Sequence, residues 1–169
     1  DQQGTGNDLF SYAAPDITDA SPTTGATGGG TVVDLLGTSF GSAAATMAIT
    51  VGTTACTAVS RVSHTHVQCT TPAGVGTGAI AMTVNTQPST GSESFVYTGP
   101  SVTSLDPANG PAACTHTVTL NGNNFGPLGT PATISVGGSA CTSPSVLGHA
   151  QATCVMIPGN GPAKAMEIT

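Results

Sequence analysis

The sequence predicts an all-β protein in which one small β-sandwich domain occurs twice in tandem. Three observations lead to this prediction. First, 44 of the 169 residues are Ser or Thr, beside 23 Gly and 12 Pro, and this composition disfavours helices. Second, short runs alternate apolar residues with hydroxyl-bearing ones, as strands with one buried face do. Third, residues spaced 85 apart agree over most of the chain, which indicates an internal repeat.

The repeat keeps one register through most of each copy. Proline, aromatic, glycine and cysteine positions coincide at a spacing of 85, namely Pro15/Pro100, Phe40/Phe125, Gly41/Gly126, Cys56/Cys141 and Cys69/Cys154. One residue is lost after the second cysteine, so that Met82 meets Met166 at a spacing of 84. Each copy therefore has its own set of turns and its own pair of cysteines.

Within each copy the strands follow from the alternation. Val118 and Leu120 share one face of a strand while Thr117 and Thr119 share the other, so the apolar pair should point inward. Ile49 and Val51, and then Met82 and Val84, point inward by the same rule. About 84 residues with seven such strands is the size of an immunoglobulin-like sandwich. The chain has no Trp, which disfavours an antibody-type domain.

The low charge of the chain excludes several functions. Arg61 and Lys164 are its only two cations, against eight acidic residues and a net charge of −6, so no basic surface exists for nucleic acid. The chain contains no run of about 18 apolar residues, the length that a membrane-spanning helix needs. We therefore expect neither nucleic acid nor membrane insertion among its interactions.

The order of motifs resembles the IPT/TIG family of immunoglobulin-like domains. The first copy carries Pro15-Asp16-Ile17, Val33-Asp34-Leu35-Leu36-Gly37-Thr38-Ser39-Phe40-Gly41, Ile49-Thr50-Val51-Gly52 and Phe95-Val96-Tyr97. The resemblance covers nearly the whole chain and implies two tandem IPT/TIG β-sandwiches, as in extracellular repeat proteins. The family has no catalytic residues to carry over, so we expect no enzyme, no metal and no cofactor.

The domain boundaries predict that units join head-to-tail. Domain 1 spans residues 15–98, and domain 2 spans residues 99–169 without a counterpart of the last strand of domain 1. Residues 1–14 resemble that last strand, because Phe10 and Tyr12 match Phe95 and Tyr97. We expect residues 1–12 of the next unit to complete domain 2, through the inter-unit strand Asn7, Asp8, Leu9, Phe10, Ser11 and Tyr12.

Two arrangements would produce this match. The 169 residues are one period of a longer tandem array, which we favour, or separate subunits donate the strand to a neighbour. The alternative is that residues 1–12 form a disordered leader. Either form of joining without ring closure gives an open filament, so the expected partner is the protein itself, with lateral filament contacts in addition.

The cysteines favour one disulfide in each copy. Cys56 and Cys69 are 13 residues apart, as are Cys141 and Cys154; four cysteines allow three connectivities, but only this one respects the repeat. Cys-x-x-Cys clusters typical of zinc sites are absent. Cys114 is left over, as a buried thiol or a lateral cross-link. Disulfides indicate an extracellular or cell-surface location.

The two neighbouring histidines His64 and His66 have no counterpart as a pair in the second copy. We expect both of them to be surface residues. The alternative, a metal site, has little support from this spacing.

Hydroxyl-bearing side chains replace charge on the outward face of the predicted strands. The chain has no Asn-x-Ser/Thr sequon, so we expect O-linked glycans, with candidate positions Thr50, Thr83, Thr117, Thr119, Thr133 and Ser135. The predicted function is a non-enzymatic extracellular filament with a carbohydrate coat. The alternative is a ligand- or carbohydrate-recognition ectodomain of a receptor or secreted enzyme, although no exposed aromatic platform is evident.

Overall fold

The computed structural model describes residues 11–91, 93–113, 115–159 and 164–169. These residues form 17 strands and no helix. The strands divide into two β-sandwich domains, with strands β1 to β10 in domain 1 and β11 to β17 in domain 2. None of the described residues belongs to a helix that could cross a membrane.

Domain 1 packs a four-stranded sheet against a six-stranded one. The first sheet has the order β1-β3-β7-β6, formed by β1 (Asp16–Ser21), β3 (Val32–Thr38), β7 (His66–Thr70) and β6 (Thr57–Ser63). The second has the order β2-β10-β8-β4-β5, with β9 also paired to β8; its strands are β2 (Thr24–Gly25), β10 (Ser94–Tyr97), β8 (Thr77–Val84), β4 (Met47–Val51), β5 (Thr54–Ala55) and β9 (Gln87–Pro88). Apart from the two-residue strands β2, β5 and β9, domain 1 has the seven strands that the alternation predicted.

Domain 2 repeats this arrangement with a smaller second sheet. Its first sheet has the order β11-β12-β16-β15, formed by β11 (Ser101–Asp106), β12 (His116–Asn123), β16 (Gln151–Met156) and β15 (Thr142–Gly148). Its second sheet has the order β14-β13-β17, formed by β14 (Ser139–Ala140), β13 (Ile134–Val136) and β17 (Met166–Ile168). A bulge interrupts β1 opposite β3 and recurs at the equivalent place in β11.

Each domain has a separate apolar core between its two sheets. The core positions predicted from the alternation are buried, with Ile49, Met82 and Leu120 each at most 2% exposed. Phe40 and Phe125, which match across the repeat, fill equivalent places at 0% and 3% exposure. The same alternation of buried and exposed residues therefore builds both sandwiches.

Each domain contains one disulfide, which ties a residue between two strands to the inner strand β7 or β16 of the first sheet. The structure joins Cys56 to Cys69 and Cys141 to Cys154, with 5.8 Å between the Cα atoms in both bridges. These are the pairs that the repeat favours. Closing a loop of about 14 residues should stabilise each domain by roughly 3 kcal/mol, because the unfolded chain loses entropy. Cys114 lies outside the described residues.

Candidate functional site

The last strand of domain 1 fills a gap between its two sheets with two aromatic rings. Strand β10 lies between β8, to which it is antiparallel, and β2, to which it is parallel. Phe95 is 0% exposed and Tyr97 is 6% exposed, and their rings meet edge to face with centroids 5.1 Å apart. The Tyr97 hydroxyl donates a hydrogen bond to the Pro72 carbonyl oxygen over 2.8 Å. This strand therefore contributes both sheet pairing and core packing.

Two glycines leave the space that these rings need. A Cβ atom at Gly25 would lie 2.7 Å from Cζ of Phe95, and one at Gly74 would lie 2.7 Å from the ring of Tyr97. Any larger residue at either position would overlap a ring. Both glycines recur in domain 2, as Gly110 and Gly159.

In domain 2 the equivalent space is an open groove. It has a volume of about 240 Å³ and is lined by Gly110 and Gly159 together with apolar side chains, among them Leu105, Val118, Val136, Cys141, Met156 and Met166. A Cβ atom at Gly159 would meet nothing within 4 Å, whereas its counterpart Gly74 faces the Tyr97 ring. The groove thus occupies the place that the aromatic rings of β10 occupy in domain 1.

Domain 2 also has a strand, β17, that pairs on one side only among the described residues. Strand β17 is the counterpart of β8 and pairs with β13. β17 matches residues Met82–Val84 of β8, which pair with β9 on their other side, and among the described residues no strand takes this place beside β17. An exposed edge of this kind is a template for another strand. In the part of the chain that the structure describes, an apolar groove and a strand edge without a partner therefore lie on the same domain.

One polar atom at the groove is also without a partner. The ring of His116 lies against Gly110, and its Nδ1 is buried with no hydrogen bond to any described residue. A buried polar atom without a partner is unfavourable by about 1–3 kcal/mol. Whatever fills the groove gains stability if it supplies a hydrogen bond here.

The segment predicted to fill the groove lies mainly outside the described residues. Asn7, Asp8, Leu9 and Phe10 are outside the described residues, whereas Ser11 and Tyr12 are described and exposed. The Tyr12 side chain is 79% exposed, and its carbonyl oxygen accepts a hydrogen bond from Nε2 of Gln87 over 3.2 Å. Within one chain, therefore, the Tyr12 ring lies outside the groove of domain 2.

Five of the six predicted glycosylation positions lie on strands, and Thr133 directly precedes β13. Thr117 and Thr133 are exposed, while Thr50, Thr83, Thr119 and Ser135 are half-buried. Sugar attachment thus has most room at Thr117 and Thr133.

A small polar cluster involves one of the predicted surface histidines. Nε2 of His66 lies 2.6 Å from Oδ1 of Asp34, which also accepts a hydrogen bond from the Gln68 amide over 2.8 Å. The hydrogen bonds from Gln68 and then His66 lower the pKa of Asp34 below its ordinary value. Among the described residues no three His, Cys, Asp or Glu side chains group to hold a metal ion.

Comparison with known families and structures matches both halves of the chain. The IPT/TIG domain model matches residues 15–97 and again residues 100–168. A comparison with curated proteins gave no significant match.

Solved structures with a similar arrangement are larger proteins. The plexin A4 full extracellular region is 18% identical over 92% of this chain, with a TM-score of 0.42, and the match covers 16% of that structure. The protein SGBP-B from a complex xyloglucan utilization locus in Bacteroides uniformis is 19% identical over 93% of the chain, with a TM-score of 0.41. The chain spans 46% of that protein, and so less than half of either structure.

Proposed function

The chain belongs to the IPT/TIG domain family, and on that premise we propose that it is a non-enzymatic structural protein of the cell exterior that assembles head-to-tail into a filament. The observation that carries the proposal is the apolar groove of domain 2, which the described residues leave open. The same place in domain 1 is filled by the Phe95 and Tyr97 rings of β10. A strand from the next unit would complete domain 2 in the same way.

The inter-unit strand has the chemistry that the groove requires. Phe10 and Tyr12 alternate along the chain with the spacing of Phe95 and Tyr97, so both rings would point to the same face of an added strand. Burying two such rings removes about 300–500 Å² from water. At about 25 cal/mol per Å² this is a gross gain of about 8–12 kcal/mol. Only the surplus over the entropy of association appears as affinity.

The cell exterior follows from the disulfides and the surface. Disulfides persist in oxidising compartments, and two of them pin these domains. With 10 charged residues in 169, solubility needs another hydrated group. O-linked glycans on exposed hydroxyls such as Thr117 and Thr133 would supply it.

The recognition function remains the rival proposal, and the described aromatic residues give it little support. Phe40, Phe95, Phe125 and Tyr97 are all buried, so they cannot form a platform for a sugar ring. Among the described residues, Tyr12 is the exposed aromatic side chain, and it belongs to the proposed inter-unit strand. A titration with soluble oligosaccharides that showed saturable binding would favour the rival.

The assembly is tested by sedimentation of the 169-residue chain with Cys114→Ser, which removes accidental cross-linking. We expect association that grows with concentration, and a monomer when Phe10→Ser and Tyr12→Ser are combined. Leu9→Ser is the matched control, because Leu9 would face away from the groove as Ser94 does in domain 1, where it is exposed. A wild-type chain that stays monomeric at high concentration would contradict strand donation.

A second measurement appends residues 1–14 after Thr169. If the groove accepts this strand, the extended chain completes its own domain 2, which should become more stable toward urea, and association should stop. An appended segment that carries the two serines should do neither. This experiment tests the groove whether units are joined covalently or by separate subunits.

The glycan coat is tested on native material by gel mobility before and after chemical deglycosylation. We expect a loss of apparent mass, and β-elimination with mass spectrometry should locate sugars on exposed Thr residues. Native chains whose mass equals that of the bare sequence would contradict the coat.

A further inference from the structure

The two domains of one chain meet through a polar joint centred on Thr27. This side chain is 2% exposed, and its Oγ1 lies 2.8 Å from Nδ1 of His149. The same Oγ1 accepts a hydrogen bond from the Gly126 N–H over 3.2 Å. The Thr27 N–H donates in turn to Oδ1 of Asn124 over 3.3 Å. Thr27 therefore links one end of domain 1 to one end of domain 2.

The joint is also closely packed. A Cβ atom at Gly28 would lie 3.3 Å from Nδ1 of His149, so the imidazole ring rests against the Gly28 backbone. A Cβ atom at Gly126 would lie 2.8 Å from Cγ1 of Val75. We call Thr27, Gly28 and Val75 the lower pole of domain 1. Asn124, Gly126 and His149 form the upper pole of domain 2.

Domain 1 carries an upper pole of the same construction. His64 matches His149 at the 85-residue spacing, whereas its neighbour His66 matches Gln151. The His64 carbonyl accepts from the Phe40 N–H over 3.0 Å, as the His149 carbonyl accepts from Phe125 over 2.9 Å. The turn also matches, with φ of 60° at Ser39 and 61° at Asn124. The guanidinium of Arg61 donates to the Gly41 carbonyl and holds this turn.

This upper pole is open in the single chain. His64 is exposed, whereas its counterpart His149 is half-buried by the joint. Gly41 is half-buried, whereas its counterpart Gly126 is buried. The upper pole of domain 2 is less exposed because the lower pole of domain 1 covers it. The upper pole of domain 1 has no such cover within one chain.

Domain 2 carries the matching lower pole. The Gly159 N–H donates to the Ala112 carbonyl over 2.9 Å, as the Gly74 N–H donates to the Thr27 carbonyl over 3.0 Å. Ala112 therefore stands where domain 1 has Thr27, and it is exposed. Its neighbour Ala113 stands where domain 1 has Gly28.

The connections on the two sides have equal length. Three residues, Thr98 to Pro100, link Tyr97 at the end of β10 to the start of β11. Three residues, Ala13 to Pro15, link Tyr12 to the start of β1. If Tyr12 of one copy is seated in the groove of another, domain 1 follows at the distance at which domain 2 follows domain 1.

We propose that the upper pole of domain 1 docks on the lower pole of domain 2 in a second copy of this chain, with His64 packed over Ala112 and Ala113. The proposal rests on the head-to-tail assembly and names the surface that fixes the direction of the next unit. Because Ala112 has no hydroxyl, His64 lacks the hydrogen bond that His149 makes to Thr27. The joint between copies is therefore weaker than the joint within a chain, and the filament alternates stiff and soft joints.

Three variants test this docking by the dissociation constant between chains, measured by sedimentation on the Cys114→Ser background. His64→Ala should weaken association about 2- to 10-fold, the range of one modest contact. His66→Ala is the matched control, because His66 faces Asp34 on the outer surface, and it should leave association unchanged. Ala112→Thr restores the hydroxyl and should tighten association by a similar factor.

A cross-link tests the geometry directly. On the same background, chains with His64→Cys and chains with Ala113→Cys should form a mixed disulfide dimer under mild oxidation. His66→Cys in place of His64→Cys should not. If His64→Ala and Ala112→Thr leave association unchanged and no cross-link forms, the docking is refuted.

Binding of the donated strand to the groove is measured separately from the docking of the poles. A free peptide of residues 1–14 should bind domain 2 with the same affinity in the His64→Ala variant and in the unaltered chain. Loss of peptide binding everywhere would overturn strand donation itself. Peptide binding without any effect of the pole variants would overturn only the docking.

Discussion

Replacing Phe95 by Ala in domain 1 should reproduce the open groove of domain 2. Phe95 is 0% exposed, lies beside Gly25, and meets Tyr97 edge to face. Core Phe→Ala substitutions destabilise by about 3–5 kcal/mol. A domain of this size has a total stability of about 4–13 kcal/mol. The substitution therefore removes a large share of the free energy of unfolding of domain 1.

Urea denaturation followed by tyrosine fluorescence measures this loss. The chain has two Tyr and no Trp, and Tyr97 is the one in the core of domain 1, so Tyr12→Phe makes the signal specific. With a urea dependence of about 1.5 kcal/mol/M, the loss lowers the midpoint by about 2–3 M. Retention of the Cys56–Cys69 disulfide should be checked in both proteins.

The neighbouring position supplies the control. Val96 follows Phe95 on the same strand but points outward and is 40% exposed, so Val96→Ala should shift the midpoint by well under 1 M. If Phe95→Ala and Val96→Ala shift it equally, strand β10 does not stabilise domain 1 through its buried rings. The inference that the groove of domain 2 needs such rings would then be wrong.

Two further predictions concern the disulfide and the phenol of domain 1. Joint replacement of Cys56 and Cys69 by Ala should destabilise this domain by roughly 3 kcal/mol on the chain-entropy model, seen as a lower urea midpoint, whereas an unchanged midpoint would contradict that model here. Burial raises the pKa of Tyr97 above its ordinary value of 10.0, so its neutral form stabilises the fold below about pH 10 and this contribution is lost as the pH rises through the folded pKa. Tyr97→Phe should lower the stability by about 1 kcal/mol at neutral pH, because the hydrogen bond to Pro72 is lost, and should flatten the alkaline decline; a decline that stays equally steep would show that other groups cause it.

Strand donation would also explain how a charge-poor chain avoids uncontrolled aggregation. Free edges and apolar grooves promote random association. We propose that residues 1–12 of the next unit cover the groove of domain 2 with one defined partner. Glycans on outward hydroxyls would then limit contacts between filaments.

The sequence by itself predicted the repeat, the two sandwiches and the inward faces of the strands. These features follow from one-dimensional patterns, because strand side chains alternate with a period of two and both copies keep one spacing. Val118 and Leu120, for example, are buried where the alternation placed them. The favoured cysteine pairing likewise needs only the equal spacing in the two copies.

Only the tertiary structure decided what lies between and beside the domains. Thr27 contacts His149 across 122 residues of sequence and Gly126 across 99, and no local pattern encodes such a contact. The groove of domain 2 is likewise a property of the packed sheets, because Gly159 faces open space where its counterpart Gly74 faces the Tyr97 ring. Such features depend on how loops from distant parts of the chain pack together, so they require the assembled fold and not the residue order alone.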